Sequence, residues 1–119
     1  MEKALRVGKV PADLLQKVLG RAPVDDPRVL LGPGIGLDCA VVDAGENLLV
    51  FKSDPITFAV DEIGSYLVRI NANDIATTGA QPRWLLVTLL LPESLTTAEL
   101  VEGIMDQIYA ACREMQVSV

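Results

Sequence analysis

The chain has no histidine, and it is poor in aromatic residues, cysteine and basic side chains. Without histidine it lacks the commonest metal ligand and the commonest general base. Any metal site must therefore use carboxylate, amide or carbonyl oxygens, which suit Mg²⁺ or Ca²⁺ rather than zinc. The aromatic residues are Trp84, Tyr66, Tyr109, Phe51 and Phe58, so the core has to be built from Leu, Ile, Val and Ala. The net charge of −6 argues against nucleic acid, whose phosphates need a basic surface. Cys39 and Cys112 show no CxxC spacing and read as buried, reduced thiols. No basic N-terminus precedes an apolar run, as a signal peptide requires. The longest mainly apolar stretch, Leu85 to Leu91, is too short to span a bilayer. The expectation is a cytoplasmic protein with neither a membrane nor a nucleic-acid partner.

What is present suffices for one folded domain. Half of the 119 residues are apolar, enough to fold rather than stay disordered. Residues 1–28 read as an N-terminal extension with a short helix. Pro11 opens it, Leu14, Leu15 and Val18 line one side, and Gly20 stops it. Pro23 and Pro27 keep the next segment extended or turning. A loop follows at Gly32-Pro33-Gly34-Ile35-Gly36. Cys39 to Val42 and Leu48 to Ser53 read as two strands joined by the turn Asp43-Ala44-Gly45-Glu46-Asn47, a hairpin. Residues 61–79 read as a helix, with Asp61 and Glu62 at its positive end and Gly79 and Pro82 at its stop. Trp84 to Leu91 reads as a third strand, apolar throughout. Thr96 or Thr97 caps a second helix to about Met115, with Leu100, Ile104, Ile108 and Ala111 in one stripe. Gln116 to Val119 opens a further strand. The order ββαβαβ predicts an α+β fold, a mixed sheet with two helices on one face. Strands apolar on both sides predict a homodimer through the sheet.

Three constellations are candidates for chemistry. Asn71, Asp74 and Thr78, spaced i, i+3, i+7, share one stripe of the first long helix. A carboxylate among apolar neighbours needs a cation or donors. Such a residue serves a metal or phosphate site, or caps a neighbouring backbone segment, and the pattern leaves both open. The Gly34–Gly36 loop lets backbone N–H groups approach a phosphate; it also suits a tight turn entering a strand, and it is neither a Walker A nor a dinucleotide motif. Lys52-Ser53-Asp54-Pro55 at the end of the second strand is compatible with plain turn chemistry and an edge lysine. Taken together, Asp38, Asp54 and Asp74 with a glycine loop and a lysine are what Mg²⁺-nucleotide binding requires.

Gly34-Ile35-Gly36-Leu37-Asp38-Cys39-Ala40-Val41-Val42, then Lys52-Ser53-Asp54-Pro55-Ile56-Thr57-Phe58, then Asn71-Ala72-Asn73-Asp74-Ile75-Ala76-Thr77-Thr78-Gly79-Ala80-Gln81-Pro82-Arg83 resemble one superfamily. It contains aminoimidazole ribonucleotide (AIR) synthetase, the dehydrating hydrogenase-maturation protein, selenophosphate synthetase and thiamin-monophosphate kinase. The chain looks most like the hydrogenase-maturation-like, AIR synthase-related branch, over about residues 30–119. The resemblance implies a ββαβαβ-type N-terminal domain, residues 29–119, in which the sheets of two subunits join into a barrel. It implies ATP and Mg²⁺ as cofactors of a phosphoryl-transfer or dehydrating enzyme. Asp38, Asp54 and Asp74 would then be the metal-binding acids, and Gly34, Gly36, Lys52 and Asn71 the nucleotide contacts. The catalytic residues and the acceptor substrate stay unassigned.

Two departures from the family pattern stand out. Many relatives carry two adjacent acids where this chain has Leu37-Asp38, which puts a second metal ion in doubt. The glycine-rich segment and C-terminal domain of relatives are missing, so the expectation is a truncated half, inactive alone. The alternative to an ATP-using domain is a dimerisation module whose nucleotide is structural or lost.

Overall fold

The computed structural model describes residues 4–57 and 61–119. Phe58, the last residue of the second motif, lies outside them. The elements are α1 (Ala12–Leu19), β1 (Val29–Leu31), β2 (Ala40–Asp43), β3 (Leu48–Phe51), α2 (Ile63–Thr77) and α3 (Ala98–Met115). They fall into two compact units, one ending at Phe51 and the other beginning at Lys52. The chain is α+β, as expected.

In the first unit the short helix follows Pro11 and stops at Gly20, as read from the sequence. The three strands form an antiparallel sheet in the order β1-β2-β3. The β2–β3 hairpin pairs Ala40 with Phe51 and Asp43 with Leu48. Its turn is closed by the Asn47 carbonyl, which accepts from the Ala44 N–H at 2.9 Å. The Asp43 carboxylate accepts from the Gly45 N–H at 2.8 Å. Gly45 has φ of 92°, a conformation that a side chain disfavours.

β1 was not expected. It pairs Val29 with Val42 and Leu31 with Val41, with an irregularity between. Three apolar residues between Pro27 and Gly32 are too short to show a two-residue period.

In the second unit α2 and α3 pack together. Val68, Ile108, Ala111 and Cys112 form the buried cluster, with Leu67, Ile104, Met105 and Met115 against it. Gly64 makes the close approach possible: a Cβ there would lie 2.5 Å from the Ile104 carbonyl oxygen and 2.8 Å from the Gln107 Cβ. Thr97 caps α3, its hydroxyl accepting from the Leu100 N–H at 3.1 Å. The Glu99 carboxyl is held below its usual range by its own backbone N–H and by the Thr97 hydroxyl, as expected for an acid in a first turn. At the start of α2 the N-cap residue, Glu62, makes no side-chain capping bond. Gln107 of α3 makes one instead. Its Oε1 accepts from the Gly64 N–H at 2.9 Å, and its Nε2 donates to the Asp61 carbonyl at 3.0 Å.

The expected mixed sheet is corrected. Trp84 to Leu91 and Gln116 to Val119 are not regular strands. They meet in one isolated parallel bridge, Trp84 with Ser118, closed by Leu85 N–H to Ser118 O at 2.8 Å and Ser118 N–H to Arg83 O at 2.9 Å. Segment 84–91 nevertheless keeps a strand's alternation. Leu85, Val87 and Leu89 pack on the helical core, whereas Trp84, Leu86 and Leu90 are 73, 100 and 91% exposed. A strand needs a neighbouring backbone to complete its ladder. Among the described residues only the Ser118 bridge supplies one.

Candidate functional site

Lys52 is the first residue after β3, and it points inward: its side chain is 7% exposed. The long apolar stem is covered and the ammonium meets two carboxylates. Nζ is 2.9 Å from Asp74 Oδ2 and 3.8 Å from Asp54 Oδ2. A covered ammonium needs such partners, because its desolvation is otherwise uncompensated. Asp54 sits two residues beyond Lys52, and Asp74 lies in the C-terminal half of α2. The second unit thus gathers one cation and two acids from two stretches of chain.

Asn71 belongs to the same cluster. Its Nδ2 donates to the Leu67 carbonyl, one turn back in α2, at 2.9 Å, and to the Asp54 carbonyl at 3.2 Å. Thr78, the third member of the sequence stripe, turns away from this role. It ends α2, and its hydroxyl donates to the Ile75 carbonyl at 2.7 Å.

Gly34, Gly36 and Asp38 stand in the first unit, in the loop between β1 and β2. The loop is a turn in which the Leu37 N–H donates to the Gly34 carbonyl at 3.3 Å. Gly36 has φ of 75°, which requires glycine in all but rare cases. Leu37 folds back, its Cδ1 only 2.6 Å from where a Gly34 Cβ would be. Beside the turn, Val29, Pro33, Leu37, Asp38, Cys39 and Val42 line an apolar hollow of about 400 Å³.

The sequence-predicted residues therefore divide into Lys52, Asp54, Asn71 and Asp74 in one unit, and Gly34, Gly36 and Asp38 in the other. No three Cys, Asp or Glu side chains among the described residues are arranged to hold a metal ion. Two carboxylates are enough for Mg²⁺, which takes its other ligands from water and substrate phosphates. Hard oxygen donors beside an ammonium thus fit a magnesium–nucleotide group. The pairing of Lys52 with Asp74 was not read from the sequence; the available signal was a lysine ending an apolar strand immediately before a carboxylate-containing turn.

The profile of the family described as "AIR synthase related protein, N-terminal domain" matches residues 36–119. A protein of Methanocaldococcus jannaschii, named for hydrogenase expression and formation, is 34% identical over 95 residues. That match covers 72% of this chain and 28% of the relative, so the chain spans less than a third of that protein's length. No solved structure matches the chain. The three motifs and the profile agree: the chain belongs to the AIR synthase related family, through its N-terminal domain.

Proposed function

We propose that the chain is the Mg²⁺-ATP-binding, dimerising domain of a cytoplasmic enzyme that uses ATP for phosphoryl transfer or dehydration. The observation that carries this reading is the covered Lys52 ammonium between Asp74 and Asp54. Phosphoryl transfer asks little covalent chemistry of the protein, mainly positioning and neutralisation of charge. A site of acids and one lysine, with no histidine, meets that demand. Asp54 and Asp74 would hold the metal ion. Bound Mg²⁺ supplies charge neutralisation on the phosphate oxygens. Lys52, drawn off the carboxylates, would offer its donors to phosphate. The relative's printed role supports hydrogenase expression and formation as the process served by the parent protein. The exposed Trp84, Leu86 and Leu90 support a second copy of the chain as the partner.

Titration calorimetry tests the site. Mg²⁺-ATP should bind the native chain and bind at least about tenfold more weakly to Asp74→Asn, a loss of about 1.4 kcal/mol. Unchanged affinity would remove Asp74 from the site. One observation favours the rival reading, a dimerisation module with structural nucleotide: Leu37 stands where many relatives have the first of two acids. Nucleotide binding that ignores Mg²⁺, with no ATP turnover in the parent protein, is the outcome expected of that module.

A further inference from the structure

We infer that Asn71 is a positioning residue, which sets the spacing of Lys52, Asp54 and Asp74, and not a phosphate contact. The inference rests on the magnesium–nucleotide reading of that cluster. A side-chain amide carries two N–H donors and one acceptor oxygen. Both donors of Asn71 are engaged within the protein, one on the Leu67 carbonyl and one on the Asp54 carbonyl. Phosphate oxygens only accept hydrogen bonds. Asn71 therefore has no donor to offer a phosphate unless it gives up one of these bonds.

The bond to Leu67 fixes the amide against its own helix, and the bond to Asp54 ties in the segment after β3. That segment carries Lys52 and Asp54, while Asp74 follows Asn71 by three residues on the same side of α2. One amide thus joins the two stretches whose charges meet at 2.9 Å. Pro55, directly after Asp54, disfavours helical backbone at that residue.

The test uses the whole 119-residue chain and two variants, Asn71→Ala and Asn71→Leu. Both remove the donors and favour helix, and circular dichroism verifies that they fold. The first readout is amide hydrogen exchange without ligand. Exchange in residues 52–57 should speed up by about tenfold in the variants, while exchange in α3 stays unchanged. Equal exchange in residues 52–57 would overturn the proposal. The second readout is a double-mutant cycle in Mg²⁺-ATP affinity with Asp54→Asn. If Asn71 acts through the Asp54 segment, losing it weakens binding about tenfold in the native background and less than about twofold beside Asp54→Asn. Equal losses in both backgrounds mean a direct contact with nucleotide and overturn the proposal. Should the native chain bind no Mg²⁺-ATP, the nucleotide reading falls, and the exchange measurement alone decides whether Asn71 pins the segment.

Discussion

The Lys52 ammonium lies 2.9 Å from Asp74 Oδ2, with the lysine side chain 7% and the aspartate 31% exposed. Removing one partner of a covered pair leaves the other's desolvation uncompensated. Asp74→Asn should therefore lower stability as well as nucleotide affinity. The expected loss is about 1–2 kcal/mol, reduced from the value for a fully buried pair because Asp74 reaches solvent. Urea unfolding at neutral pH measures it, and an unchanged midpoint contradicts the pairing.

Gly64 gives a prediction on packing alone. A methyl group there meets the Ile104 carbonyl and the Gln107 Cβ at less than contact distance, and neither is the free end of a flexible chain. Gly64→Ala should cost about 1–3 kcal/mol through a forced shift of α2 against α3, despite alanine's better helix propensity. Thermal unfolding should show a drop of several degrees. A rise would mean that the helices are farther apart than described.

The exposed side of segment 84–91 gives a prediction on assembly. Leu86 is fully exposed in one copy, so Leu86→Glu should change the stability of an isolated subunit by no more than about 0.5 kcal/mol. Light scattering at micromolar concentration should find the native chain dimeric and this variant monomeric. A monomeric native chain contradicts the proposed dimer.

Cys112 sits in the core between α2 and α3, and burial pushes its thiol above the ordinary value of 9.0. The native state thus favours the protonated thiol. Its contribution is fully present below the unfolded thiol's range and is lost as pH rises through the higher folded value. Stability should fall above about pH 9, and the decline should be shallower in Cys112→Ala. Alkylation at pH 8 should be slow until the chain unfolds.

How legible this was in the sequence depended on how local each signal is. Helix α3 was readable because its cap, Thr97, and its stripe, Ile104, Ile108 and Ala111, lie within one segment. The β2–β3 hairpin was readable because Gly45 and Asp43 mark its turn. Trp84 to Leu91 reads as a regular strand but is not one, because an apolar run does not reveal whether a neighbouring backbone exists. β1 was missed because three residues carry no period. At the site, residue types and family pattern pointed to Lys52, Asp54, Asn71 and Asp74. The burial of Lys52 and the two bonds of the Asn71 amide are tertiary facts, absent from any local window. Gln107 as the cap of α2 is another, since it comes from a different helix.

The most direct test of the central claim is thermal unfolding of the chain with ATP, with Mg²⁺, with both and with neither. A ligand that binds only the native state adds about 2.7 kcal/mol at a hundredfold excess over Kd, a shift of several degrees for a domain of this size. The account predicts a shift that needs ATP and Mg²⁺ together and that Asp74→Asn diminishes. No shift with both ligands in a verified dimer, or the same shift with ATP alone, would contradict it.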